Sequence, residues 1–380
     1  MRHLLPWAAL AALLLAACAP APPAAPAAQP AKPAAEAPKP AAEPAKPTAE
    51  AAKPAAEPAK PATEAKPAAT TTVRVGYVPI LNFAPVFLAL EKGYYREQGL
   101  DAQLMTLAGG ADMLVQTAGG HFDVGTGGVG SALFNAIQRG VPIRVVAPLH
   151  AEAKPMSTPL VGRKASRDDG TVKSIADLRG KKVAINARGA ATEYWLDAAL
   201  RQGGLTINDI DLQAIPFSEM PAALEKGVIE AGMLAEPLAT LAERKGIIVR
   251  LSDDFLKDAQ PTAVYYNLTW AQKNPEAAKG FMVAYLKACR DLQGPGWQDP
   301  QNVAILEKYT KVPADVIRAA APPLFEPNGK VNLADWEKQQ QFFMRQGLLT
   351  YKEPLDMRQL VDGSYVEHAL RVLGPYPGRS

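Results

Sequence analysis

Val73-Arg74-Val75-Gly76-Tyr77-Val78-Pro79, followed by a helical stretch from about Ala84 to Gln98, decides the fold once its echo is found further along the chain. The heptapeptide reads as a buried strand. After Gly99-Leu100 come a strand from Asp101 to Leu107, a helix from about Ala111 to Gly119-Gly120, and a third strand opening at Phe122-Asp123-Val124-Gly125. The same order then returns: strand Lys181 to Asn186, helix Thr192 to Gln202, strand Asp211 to Pro216, helix Glu219 to Lys226, strand Ile229 to Gly232. Val75 and Asp123 are 48 positions apart, and Val183 and Glu230 are 47 apart. Strands and helices alternating at this spacing imply parallel crossovers, so the pattern predicts an α/β protein of two lobes, each a mostly parallel sheet flanked by helices.

At the same offset in each unit a strand ends in a loop of small or polar residues that opens a helix. The loops are Asn82-Phe83-Ala84-Pro85 and Asn186-Ala187-Arg188-Gly189-Ala190-Ala191-Thr192. Proline suits the first turn of a helix, and the N–H groups there carry partial positive charge. Ligands of open parallel sheets sit beyond the carboxyl ends of the strands, so two facing lobes would clamp a small molecule between these loops.

Gly125-Thr126-Gly127-Gly128-Val129-Gly130 also matches the G-x-G-x-x-G dinucleotide fingerprint, with Glu152 downstream. It follows the third strand of its unit rather than the first, and Glu152 lies beyond the strand Ile143 to Ala147. The better reading is a third cleft loop, in which glycines let the backbone approach a ligand; Thr126, Gly127 and Gly128 are its candidate contacts.

Aromatic residues near these loops, Tyr77, Phe83, Tyr194, Trp195 and Tyr266, could stack on a planar heterocycle. Arg188 and exposed loop amides could instead hold a small anion. Glu236, before Pro237 at a strand end, could accept a ligand N–H or O–H, or cap the helix from Leu238. Trp336, Phe342 and Phe343, near helical spacing in the C-terminal region, read as core.

The chain of 380 residues holds 41 basic and 38 acidic side chains, and the part after residue 71 is close to neutral. That balance argues against a nucleic-acid footprint, which needs clustered positive charge. Cys289 is the one cysteine beyond Cys18, so an internal disulfide is excluded from the folded part, and its apolar neighbours make it a core residue. Four scattered histidines have no metal-ligand spacing, and neither a metal nor a cofactor is expected.

The N-terminus has a different character. Met1-Arg2-His3 precedes an apolar run of 14 residues from Leu4 to Ala17, shorter than the roughly 20 needed to cross a bilayer as a helix and broken by Pro6. Residues 1–17 read as a secretion leader. Leu15-Ala16-Ala17-Cys18 resembles the bacterial lipobox, in which the cysteine is acylated and becomes the mature N-terminus, so Cys18 is the expected lipidation site. From residue 18 to 71 the chain is mostly Ala, Pro, Lys and Glu, with Lys at 32, 39, 46, 53 and 60. The seven-residue period is not a coiled coil, because repeated Lys-Pro breaks the helix and no apolar seam exists. This segment reads as a disordered, semi-extended tether.

Val75-Gly76-Tyr77-Val78-Pro79, Phe83-Ala84-Pro85, Ala89-Leu90-Glu91-Lys92-Gly93-Tyr94-Tyr95 and Gly99-Leu100 together resemble the opening of the nitrate/sulfonate/taurine and thiamine-precursor (SsuA/NMT1/THI5-like) substrate-binding proteins of ABC importers. Asp123-Val124-Gly125, Arg139-Gly140-Val141-Pro142, Asp177-Leu178-Arg179-Gly180, Leu224-Glu225-Lys226-Gly227 and Ala235-Glu236-Pro237 continue the resemblance. It implies a two-lobed type II periplasmic-binding-protein fold with extra C-terminal helices. Lobe one would comprise 72–158 and 262–380, and lobe two 159–261, with crossings near Thr158 to Lys164 and Leu251 to Asn267. It further implies an extracytoplasmic, lipid-anchored protein that is not an enzyme and that delivers a small molecule to an ABC permease and its ATPase. The ligand would be a planar heterocycle such as a vitamin precursor, or a small organic or inorganic anion. A ligand-sensing module for a membrane receptor, or an enzyme similar to thiamine-pyrimidine synthases, are the alternatives.

Overall fold

A computed structural model describes residues 70–107 and 112–377. The leader, Cys18, nearly all of the tether and the expected helix start at Ala111 lie outside the described residues. Among the described residues, ten strands form two five-stranded sheets. The first contains β1 (Thr71–Tyr77), β2 (Leu100–Thr106), β3 (Val124–Gly128), β4 (Ile143–His150) and, after the chain has visited the second sheet, β10 (Thr262–Asn267). The second contains β5 (Leu160–Arg163), β6 (Lys182–Ile185), β7 (Asp211–Ala214), β8 (Ala231–Met233) and β9 (Ile248–Ser252).

The strand orders are β2-β1-β3-β10-β4 and β7-β6-β8-β5-β9, so the two sheets share one plan. In each, three neighbouring strands are parallel and the fourth position is antiparallel to both its neighbours. The sheets are therefore mixed where the sequence suggested mostly parallel ones. The cause is the crossing: β5 and β10 each follow the segments 151–159 and 253–261 from the other lobe. A strand arriving from the cleft side must run away from the cleft, against strands that end there. The crossings are laced together by Glu152 N–H to the Ala259 carbonyl (2.9 Å) and Met156 N–H to the Asp253 carbonyl (2.9 Å).

Period-2 burial explains β1: Val73 and Val75 are buried while Arg74 points outward and donates to Asp123 at 2.7 and 3.0 Å, tying β1 to the start of β3. The helix expected over Ala84 to Gln98 is two, Ala84–Glu91 and Tyr94–Glu97, because Gly93 takes a left-handed conformation (φ 78°) that ends the first.

The C-terminal region is mostly helical. Pro275–Asp291 packs its buried face, including Phe281, Tyr285 and Cys289, on the first lobe. Leu333–Arg345 behaves differently from a lobe-one appendage, because it touches both lobes: Phe342 meets Tyr194 (5.6 Å) and Phe343 meets Phe134 (6.3 Å). Its Trp336, Phe342 and Phe343 are buried in one apolar cluster with residues of both sheets.

Candidate functional site

A cavity of about 550 Å³, mouth included, lies between the lobes at the carboxyl ends of the parallel strands. The first lobe brings Val78, Ile80, Asn82 and Phe83 from the turn after β1, Gly127 and Gly128 from the end of β3, and His150 from the end of β4. The second brings Asn186, Ala190, Ala191, Thr192 and Trp195 around the start of the helix Ala191–Arg201, Phe217 after β7, and Ala235 after β8. Thr158, Pro261 and Thr262 enter from the crossings. Among the described residues no Lys, Arg, Asp or Glu lines it.

Two side chains of this cavity's lining each carry a buried polar atom without a partner among the described residues: Asn82 Oδ1 and Trp195 Nε1, in side chains 3% and 1% exposed. They belong to different lobes. An unsatisfied buried polar group costs about 1–3 kcal/mol, a penalty that a bound molecule could remove. Behind Asn82 lies a closed polar cluster. Asn82 Nδ2 is 2.6 Å from His150 Nε2, His150 Nδ1 is 2.5 Å from Thr262 Oγ1, and His150 Nε2 is 3.3 Å from Glu152 Oε1. Glu152, fully buried, accepts from Ser157 N–H (2.6 Å) and Ser157 Oγ–H (2.8 Å). Trp195 meets the His150 ring edge-on at 6.4 Å.

The loop Asn186 to Thr192 is held by its own side chains. Thr192 Oγ donates to Asn186 Oδ1 (2.6 Å), and Gly189 N–H donates to the buried Glu193 carboxylate (2.6 Å). Gly189 needs its positive φ of 69°, and it touches the other lobe: Ser131 N–H donates to the Gly189 carbonyl at 2.8 Å. Leu81 N–H donates to the Glu236 carbonyl (3.2 Å) on the other side of the cleft. The lobes are thus shut on each other.

Of the residues singled out in the sequence, Asn82, Phe83, Gly127, Gly128, Asn186, Ala190, Thr192 and Trp195 meet at this cavity. The others do not. Tyr77 packs on Phe87 (5.2 Å) and Tyr309 (6.1 Å). Tyr266 is fully buried, with its hydroxyl donating to the Ala278 carbonyl (2.8 Å). Because β10 is antiparallel, its first residues and not its last reach the cleft, which puts Thr262 where Tyr266 was expected. Tyr194 faces Phe342, and burial pushes its phenol up to about 12. Thr126 points into the sheet and donates to the Gly76 carbonyl (2.5 Å). Glu236 turns away from the cavity, accepting from Thr240 N–H and Oγ–H (both 3.0 Å) and from Arg250 (2.6 Å), which is the capping alternative. Arg188, 54% exposed, lies 3.4 Å from Glu193 and with Gly189 lines an adjoining hollow that shares Gly128, Asn186 and Ala190 with the cavity.

His150, Thr158, Phe217 and Thr262 were not anticipated. His150 carries one usable signal, a polar residue closing an apolar run, but it lies three residues beyond the strand Ile143 to Ala147 that the sequence suggests, whereas the strand runs to His150. The segment Gly125 to Gly128 is strand rather than loop.

The NMT1-like family matches residues 66–306. Over 294 residues the chain is 24% identical to the nitrate/nitrite binding protein NrtA of Nostoc, covering 73% of this chain and 65% of that protein. It is 28% identical over 227 residues to the riboflavin-binding protein RibY of Chloroflexus aurantiacus, covering 58% and 61%. The chain thus spans under two thirds of the length of these curated relatives. Among solved structures, the alkanesulfonate-binding protein SsuA of Xanthomonas axonopodis superposes with a TM-score of 0.65 at 17% identity, covering 78% of this chain and 99% of that one. The periplasmic nitrate-binding protein NrtA of Synechocystis gives 0.66 at 18%, covering 80% and 89%. The fold is that of these periplasmic binding proteins.

Proposed function

Since the chain belongs to the NMT1-like family, we propose that it is an extracytoplasmic solute-binding protein that closes two lobes on an uncharged small molecule and delivers it to an ABC importer. Acylated Cys18 and the tether after it hold the protein at the membrane. The observation that carries this reading is the pair of unpartnered buried atoms, Asn82 Oδ1 and Trp195 Nε1, one from each lobe on one cavity. A molecule that satisfies both stabilises the shut form, which is how capture between lobes works.

The uncharged character follows from the lining. A buried ion without a counter-charge is costly to desolvate, and the candidate cation, Arg188, is beside Glu193 and lines the adjoining hollow rather than this cavity. Phe83, Trp195 and Phe217 offer apolar and ring surface instead. Among the relatives, the riboflavin-binding one carries in its name a planar heterocycle, whereas the nitrate-binding ones name an anion.

Native mass spectrometry of protein purified from its own host identifies the molecule carried, and isothermal titration then measures its affinity for the stripped protein. Stimulation of a reconstituted permease and ATPase by the loaded form is the expected result. An anionic ligand, or turnover of the ligand to product, would overturn the reading.

A further inference from the structure

Two members of the polar cluster behind Asn82, the Asn82 amide and the His150 ring, can each take either of two polarities. A carboxamide can turn over about its last torsion with its heavy atoms unmoved, and an imidazole can carry its proton on either nitrogen, so hydrogen-bond partners decide both. As a carboxylate, Glu152 has acceptors only, and it turns one of them to His150 Nε2 at 3.3 Å while both its oxygens accept from Ser157. A bare Nε2 would set lone pair against lone pair in a fully buried site. Nε2 therefore bears hydrogen, whether the ring is neutral or cationic. On the far side, Thr262 Oγ fits either case, donating to Nδ1 or accepting from it at 2.5 Å. An N–H on Nε2 cannot also receive the Asn82 amide N–H 2.6 Å away.

We infer that Glu152, by holding a proton on His150 Nε2, turns the Asn82 amide so that its oxygen faces the histidine and its NH2 faces the cavity. Glu152 is then a positioning residue for ligand choice although it does not line the cavity. With Asn82 turned, the polar groups offered at the cavity by Asn82 and Trp195 are both donors. The first-turn N–H groups at Ala191 and Thr192, where no side chain caps the helix, are donors as well. The ligand class recognised is one with at least two hydrogen-bond acceptors, such as carbonyl oxygens or unprotonated ring nitrogens, toward these groups. This rests on the solute-binding reading above and deepens it.

Nitrogen-15 NMR of histidine-labelled protein reads the protonated nitrogen directly, and the chain has 4 histidines to assign. The expected result is a proton bound at His150 Nε2 in the wild type and its movement to Nδ1 in Glu152→Gln, whose amide can donate to Nε2. A merely structural glutamate would not move that proton between nitrogens. A wild-type Nε2 without hydrogen overturns the inference, and so does an unchanged site in a folded Glu152→Gln.

For the ligand class, saturation-transfer NMR compares 1-methyl-2-pyridone, an acceptor without an N–H, with indole, a donor without a comparable acceptor. The wild type should prefer the pyridone at least tenfold, and Asn82→Asp, which keeps an oxygen for His150 but loses the NH2, should lose that preference. Preference of the wild type for indole overturns the acceptor assignment. Failure of both probes and of every co-purified molecule to bind would count against the solute-binding reading alone, with the histidine spectrum still deciding the orientation.

Discussion

Ser131 on the first lobe donates its backbone N–H to the carbonyl oxygen of Gly189 on the second at 2.8 Å, with Gly130 packed so closely that a β-carbon there would sit 2.4 Å from that oxygen. This contact and the cavity belong to the same closure, because the loop that carries Gly189 also carries Asn186, Ala190 and Thr192.

Gly130→Ala should therefore hold the lobes apart without harming either. Its backbone is extended (φ −143°), which alanine adopts freely, so the clash is confined to the shut form. Loss of one hydrogen bond plus the steric term, on the order of 1–2 kcal/mol, weakens ligand affinity roughly 5- to 30-fold. Small-angle scattering should show a larger radius of gyration in the presence of ligand than for the wild type. Wild-type affinity and dimensions would sink the idea that this contact gates the cleft.

Gly127 and Gly128 should part company when changed to Val. A side chain at Gly127 would meet Tyr265 Oη at 2.9 Å and Met113 Cγ at 3.2 Å, within the body of the lobe, so overpacking costs about 1–3 kcal/mol of stability. At Gly128 nothing lies within 4 Å, and the added isopropyl group occupies the cavity instead. Calorimetric unfolding paired with ligand titration should show a lowered Tm for Gly127→Val and a lost affinity at near-native Tm for Gly128→Val.

Arg188→Gln should change affinity by less than about twofold, because a half-exposed guanidinium beside a carboxylate contributes little. Trp195→Phe keeps an aromatic ring but removes the pyrrole half of the indole with its N–H; the lost hydrogen bond costs about 0.5–1.5 kcal/mol, or roughly 2- to 12-fold in Kd. Ligand-induced quenching of tryptophan fluorescence should vanish with it. A tenfold or greater loss in Arg188→Gln would instead mark the ligand as an anion.

Cys18→Ser removes the thiol needed for acylation, and cell fractionation should find the variant released from the membrane. Deletion of residues 19–69, which spares Thr71 of β1, should leave Tm within about 2 °C, since a segment without large apolar side chains has no core to contribute. Membrane retention of the serine variant, or a Tm drop beyond about 4 °C in the deletion, would contradict the anchor-and-tether reading.

The alternation of strands and helices was legible along the chain because it is written in local periods: Val73 and Val75 alternate with outward residues, and Gly93 or Gly189 marks where a positive φ ends or bends an element. Repetition of that pattern at nearly equal length was enough to derive two lobes and the loops at Asn82 and Asn186, because strand ends in such units fall on one side of a sheet. The family resemblance added the interrupted order of the lobes.

Strand direction after each crossing, and with it the identity of the cleft residues from β10, was decided by tertiary structure. Local sequence says that Thr262 to Asn267 is extended; it does not say which end meets the cavity, and that choice separates Thr262 from Tyr266. The same holds for buried polar groups. Glu236 and Glu152 look alike in sequence, yet one caps a helix and the other stands behind a histidine at the cavity, because hydrogen-bond partners far apart in the chain are supplied only when the lobes fold. Periodicity reports which face of an element is apolar, whereas the partner of a buried charge is a property of the packed molecule.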